Sequence, residues 1–196
     1  MGRAVLTRLA RQLHPAVSPN TAASASELSE LRDERAALQK KLREVNLALS
    51  EADGEPQGPL AGVTIIEAQQ AITGPLGTMM LADMGASVIK IEPPTGQGDV
   101  NRPSGTIRPS DADHGVYMHN FNRGKRCIAL DLTKEEGQAV LLEMAKTADV
   151  FLQNARPGAA DRNGFGYAAL SAVNDELIYV SISGWGQTGP YARRPA

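Results

Sequence analysis

The chain has 196 residues, 42% of them hydrophobic and 21% charged, a composition normal for one globular domain with an appendage. Its net charge of −2 shows no basic excess of the kind that binds nucleic acid, and no apolar run reaches the length of a membrane span. One cysteine, Cys127, excludes an internal disulfide and a cysteine-rich zinc site and fits a reducing compartment, while His14, His114 and His119 lack metal-ligand spacing.

In residues 1–25 the only charges are Arg3, Arg8 and Arg11, and the first acid is Glu27. This is the composition of an organelle transit peptide or of a disordered tail, so the expected location is mitochondrial or cytoplasmic. A helix is expected over 26–52. Ser24 and Glu27 form a capping box, and Leu28, Leu31, Leu38, Leu42, Val45 and Leu49 make an apolar stripe interrupted by Arg35. About three heptads is short for a stable coiled coil, which leaves a solvated helix or a loose dimer arm. Gly54, Pro56 and Gly58 mark residues 53–58 as a linker.

From Pro59 onward the pattern alternates between strand and helix. Val63–Glu67 is a short apolar run suited to a buried parallel strand. A helix follows, with Thr73 as its cap, Pro75 in its first turn, and Met79, Met80, Leu81 and Met84 along it, and Gly85 ends it. The second strand is Ser87–Glu92, stopped by Pro93 and Pro94. A polar loop spans Thr95 to about Gly115, long enough to expect a functional or mobile segment. Arg126–Asp131 is the third strand, Lys134–Thr147 a helix, and Asp149–Leu152 the fourth strand. Two short helices near Ala159–Asn163 and Ala168–Val173 precede a fifth strand, Leu177–Ser183. The expected fold is α/β, a Rossmann-like parallel sheet with helices on both faces, preceded by the N-terminal helix. Ligands of such sheets bind beyond the carboxyl ends of the strands. That singles out Gln69–Gly77, Pro93–Asp99, Asp131–Thr133, Asn154–Arg162 and Gly184–Gly189.

Individual motifs are weak signals. Gly74-Pro-Leu-Gly77 opens a helix that could hold an anion, but the dinucleotide glycine fingerprint and the P-loop lysine are both missing. Asn122-Arg-Gly-Lys-Arg126 is either a phosphate grip or a solvated turn. Asn154, Arg156 and Arg162 follow the fourth strand, where an Asn can bond a base or ribose and the arginines can meet a diphosphate. Cys127 reads as a small packed strand residue rather than a nucleophile.

Taken in order, Pro59-Leu-Ala-Gly-Val, Thr73-Gly-Pro75, the run Leu81–Glu92, Gly98-Asp99, Asn122-Arg-Gly-Lys-Arg126, Ile128–Leu132, Ala148–Asn154, Arg156-Pro-Gly158, Asp161-Arg162, Gly164–Tyr167 and Ser181–Pro190 form a long collinear set. Over residues 59–196 the chain resembles the N-terminal half of the class III CoA-transferases, the superfamily of formyl-CoA transferase and α-methylacyl-CoA racemase. The resemblance implies a Rossmann-like large domain holding coenzyme A, no metal, and an interlaced homodimer. The implied coenzyme A contacts are Leu130, Asp131, Leu132, Thr133, Asn154, Ala155, Arg156 and Arg162. Thr133 stands where the family commonly has Lys, Ala155 where it has an aromatic, and Pro93 and Ile72 where formyl-CoA transferase has Arg and Gln.

The family chemistry is attack of an Asp carboxylate on an acyl-CoA, giving a mixed anhydride and then an aspartyl-CoA thioester that the acceptor carboxylic acid resolves. The racemase branch uses a His/Asp pair at the α-carbon. The resemblance puts the nucleophilic Asp beyond Ala196, so no catalytic residue is assigned. The expectation is a truncated chain that binds coenzyme A but does not transfer it alone, with part of its sheet left as an exposed apolar patch. The alternatives are a racemase-type enzyme and a non-catalytic oligomerising remnant.

Overall fold

The structure, a computed structural model, describes residues 58–96, 98–105 and 115–194, together with single positions between 26 and 44. Those single positions, among them Ser29, Asp33, Ala37 and Lys41, are helical and exposed. The expected tail, the capping box, the apolar stripe and nearly all of the linker lie outside the described residues.

From residue 58 onward the first strand is β1, Thr64–Ala68, followed by helix α1, Thr73–Asp83, and strand β2, Ser87–Glu92. Helix α2, Val116–Asn122, leads into strand β3, Lys125–Ala129, and helix α3, Glu135–Ala145, leads into strand β4, Val150–Gln153. Helices α4, Ala159–Arg162, and α5, Tyr167–Val173, precede strand β5, Ile178–Ser181. The strands make one five-stranded sheet in the order β3-β2-β1-β4-β5, parallel at every pairing. Such a sheet is viable because both faces are covered, which is why its central strands read as nearly continuous apolar runs.

The strands alternate with period two. Ile66, Ile91 and Phe151 point to the face covered by α3, α4 and α5, where they pack with Leu141, Ala160, Phe165 and Leu170. On the other face Ile65, Val88 and Leu152 pack with Leu60 and Leu81, the last from α1. Large apolar side chains remain exposed on the outside of α1, where Ile72, Leu76, Met80 and Met84 recur every fourth residue. An exposed apolar patch therefore lies along this helix, and on the sheet Ile178 of β5 is exposed as well.

Several details differ from the sequence reading. Thr73 lies inside α1 and caps nothing: the N-cap is Ile72, with no side-chain cap bond. Pro75 does occupy the first turn, and Gly85 ends the helix in a left-handed conformation, φ 96°. Helix α2 was not anticipated; it forms at the end of the long polar segment, burying Met118 and stacking Tyr117 on Phe121 with centroids 5.9 Å apart. Strand β1 begins and ends one residue later than expected, whereas β2 has the expected bounds.

Candidate functional site

The chain lays down β1, β2 and β3 in one direction and then returns to place β4 and β5 on the other side of β1. The strand order therefore reverses between β1 and β4. At their carboxyl ends the two connections diverge to opposite faces and leave a crevice between them. One wall of the crevice is the β1–α1 connection. Asn154, just past β4, accepts a bond from the Gln70 N–H at Oδ1 (3.1 Å) and donates from Nδ2 to the Gln70 carbonyl (2.8 Å). The next residue, Ala71, has φ 66°, and its carbonyl accepts a bond from Asn101 Nδ2.

The opposite wall comes from the turn after β3. Asp131 Oδ1 accepts bonds from the Thr133 N–H (3.1 Å) and hydroxyl (2.6 Å), which turns the chain into α3. Those bonds from Thr133 hold the Asp131 carboxyl below its ordinary range. Thr133, standing where a Lys is usual in the resemblance, is thus engaged locally. Leu130, Asp131, Leu132, Thr133, Asn154 and Ala155 all line this cavity of about 460 Å³, together with Gln69–Ala71.

Asn154 and Ala155 also line an adjoining cavity of about 490 Å³, whose other walls include Arg156, Arg162, Trp185, Arg193 and Arg194. Gly158, left-handed at φ 75°, caps α4 and lets the Arg162 guanidinium fold close: a Cβ there would lie 3.0 Å from Arg162 Nη1. Arg194 stacks on the Tyr191 ring at 4.2 Å, and Tyr191 meets Trp185 edge-on. Among the described residues no carboxylate lines this cavity. Such a set of forked cations suits a phosphate or diphosphate. The structure thus gathers every candidate residue into two cavities that meet at Asn154 and Ala155. Arg193, Arg194 and Trp185 were not singled out from the sequence. Arg193 and Arg194 sit past the last apolar strand with no motif around them, and only the Gly184–Gly189 segment pointed that way.

Beneath the β1–α1 connection lies a buried charge network that the sequence reading missed. Lys90 Nζ lies 3.3 Å from Glu67 Oε1 and 2.7 Å from Asp99 Oδ2, and it donates to the Gln69 carbonyl at 2.7 Å. The Lys90–Asp99 approach is a close ion contact off the line of a well-directed hydrogen bond. Lys125 Nζ reaches the same Glu67 oxygen at 2.9 Å, and the Thr78 hydroxyl donates to the other. Burial pulls the Lys125 ammonium below its usual range, with Glu67 opposing. Gln69 is also fully buried, and neither atom of its amide has a hydrogen-bond partner. A signal for the network existed: Lys90 and Glu67 interrupt apolar runs in central strands, where a charge needs a partner.

Of the two readings of Asn122–Arg126, the solvated turn is the one the structure supports, since Arg123 and Gly124 form an exposed turn before β3. Arg123 pairs with Asp83 at 2.5 Å, Lys125 is in the buried network, and Arg126 donates to the Ser87 hydroxyl at 2.7 Å. The three cations of the segment are taken up by neighbours rather than gathered as a phosphate grip, and they pin the edge strand to α1 and β2. Cys127 is also corrected, being exposed on that edge rather than packed. Its thiol is pushed up to about 11 by partial burial and by the bond it gives the Glu92 carboxylate, which agrees with reading it as no nucleophile. Among the described residues no group of His, Cys, Asp or Glu could hold a metal ion, and no helix is long and apolar enough to cross a membrane.

An all-parallel sheet with a crevice at its switch point, next to a cavity rich in arginine, defines an α/β protein of the class that takes ligands at the carboxyl edge of the sheet. Residues 60–196 match the family model for CoA-transferase family III, and the chain belongs to that family. It is 47% identical over 142 residues to the acetyl-CoA:oxalate CoA-transferase of Acetobacter aceti, a match covering 72% of this chain and 36% of that protein. To the succinate–glutarate CoA-transferase of Agrobacterium fabrum it is 44% identical over 138 residues, covering 68% and 34%. Among solved structures, Rv3272 of Mycobacterium tuberculosis superposes with a TM-score of 0.66 at 36% identity, covering 72% of this chain and 39% of that one. A CAIB/BAIF family protein of Brucella suis gives 0.66 at 40% identity, covering 71% and 37%. The chain thus spans about a third of the length of the curated relatives it matches.

Proposed function

We propose that residues 59–194 form the coenzyme-A-binding part of a family III CoA-transferase, which moves coenzyme A from an acyl-CoA to a carboxylic acid. The observation that carries this reading is the pair of joined cavities at the switch point, one lined by a mixture of apolar and polar residues and the other by four arginines among its walls. The narrow chemistry of the second suits the phosphates of coenzyme A. The Leu130–Thr133 turn and Ala155 offer the first to its adenosine or pantetheine portion, and Asn154 stands where both meet. Relatives named as transferases for oxalate, glutarate and malate support transfer between acids over racemisation.

The aspartyl-CoA route belongs to this proposal, and so does the view that the chain does not transfer coenzyme A alone. Asp99 faces Lys90, Asp131 holds Thr133 and Asp149 accepts the Thr64 N–H at 2.8 Å, so each is already engaged by a neighbour in the fold. A second copy of the chain is the proposed partner, as in an interlaced homodimer.

The test is calorimetric titration of coenzyme A and dephospho-coenzyme A into the full chain and into Arg156→Ala and Arg162→Ala. Each arginine lost from a phosphate should weaken binding by roughly ten- to a hundred-fold, since a hydrogen bond to a charged group contributes about 1.5–3 kcal/mol. Equal affinity for coenzyme A in wild type and both variants would sink the assignment of the phosphate cavity.

A further inference from the structure

The structure assigns Asn101 and Asn154 as positioning residues whose amides jointly hold Gln70 and Ala71 in the left-handed turn that forms one crevice wall. The inference rests on the coenzyme A reading above and deepens it by saying what shapes the site. Ala71 is the one non-glycine residue with positive φ among those described, at 66°. An L-residue with a Cβ disfavours that region by roughly ten-fold, so something must hold it there.

Two arms do so, and they come from opposite sides of β1. The β1–β4 ladder ends with Ala68 opposite Gln153. Beyond it the Asn154 side chain behaves like another peptide unit, accepting the Gln70 N–H and donating to the Gln70 carbonyl at 3.1 and 2.8 Å. One donor and one acceptor of its amide are thereby used on the protein itself. Asn154 therefore acts on a ligand mainly through the wall it fixes.

The second arm is Asn101, 6% exposed, whose Nδ2 donates to the Ala71 carbonyl. Asn101 can hold that carbonyl because its own loop is rigidly anchored. Its N–H donates to Asp99 Oδ1 at 2.9 Å, and the Asp99 carboxylate meets Lys90. The Asp99 N–H and the Arg102 Nε both bind Glu92 Oε2, at 2.8 and 2.6 Å. The buried charges are thus a footing for the loop, and Asn101 transmits that footing to the crevice.

The experiment uses the full chain carrying Asn101→Ala, Asn101→Asp or Asn154→Asp, each with and without Ala71→Gly. NMR shifts and the amide–Hα coupling of residue 71 report its φ without ligand, and calorimetry gives the affinity for coenzyme A. Removing the Asn101 donor should move Ala71 out of the left-handed region and weaken coenzyme A about ten-fold. Glycine at 71, free of the Cβ penalty, should recover most of that affinity, which a purely structural role would not allow. Asn101→Asp keeps the volume and should behave as Asn101→Ala does, and Asn154→Asp should lose affinity in the same recoverable way. An unchanged φ and affinity in the Asn101 variants, or a loss that Ala71→Gly fails to recover, overturns the inference. If wild type binds no coenzyme A, the functional reading falls, and the φ of Ala71 in the variants then decides the clamp by itself.

Discussion

Glu92 ties the loop after β2 to the sheet. Burial alone would raise its carboxyl, but the Arg102 guanidinium, the Asp99 N–H and the Cys127 thiol together outweigh that and bring it from 4.5 to about 2. A carboxyl held down in the folded state stabilises it above the unfolded pKa, and that stabilisation disappears as pH falls through the folded value. Between pH 4.5 and 2 the protein should lose about 3 kcal/mol from this group, read by urea unfolding across pH. Arg102→Gln should remove most of it at neutral pH and flatten that acid slope. Because its thiol lies near 11, Cys127 should react slowly with iodoacetamide at pH 8 despite its exposure, with the rate still climbing toward pH 11. Rapid labelling at pH 8 would show the thiol free of Glu92. In the buried network, Lys90→Met should cost about 3–5 kcal/mol, because Asp99 and Glu67 would be left with one cation between them. The positions of these charges in central strands were legible from the sequence, but their partners were not. Lys125 opens β3 where the sequence suggested a turn, and Asp99 lies in the loop after β2; the β2–β3 pairing and the fold of that loop bring them to Glu67 and Lys90.

Gly137 shows why some elements sit where they do. It lies in the first turn of α3, where a Cβ would come 2.1 Å from the Asp131 carbonyl. Gly137→Ala should push the Leu130–Thr133 turn off the helix, destabilise the fold by about 1–3 kcal/mol, and weaken coenzyme A more than a comparable change on the outer face of α3. Equal stability and affinity would mean that the turn can shift without consequence. At this scale the strands were legible because β1, β2 and β4 are buried apolar runs with turn residues at their ends. Helix α2 was not, since a seven-residue segment containing Val116, Tyr117 and Phe121 has weak helical preference and forms by packing Met118 inward. The cap of α1 was misread for a related reason. Thr73 is the usual kind of capping residue, but the left-handed Ala71 starts the helix one residue earlier, at Ile72.

For the whole molecule, the order β3-β2-β1-β4-β5 puts the end of β1 beside the end of β4, and this adjacency makes the site. Alternating strands and helices made the parallel sheet and its ligand-bearing edge readable in advance, and the resemblance pointed to residues at that edge. Arg193, Arg194 and the clamp on Ala71 required the folded chain, because they are tertiary approaches with no local pattern. The central claim is that this edge binds coenzyme A. Its most direct test is calorimetric titration of coenzyme A into the purified full chain at low and moderate salt. The account predicts saturable binding at one site per chain, weakening as salt screens the arginine cavity. A cooperatively folded sample that takes up no coenzyme A at either salt concentration would contradict it.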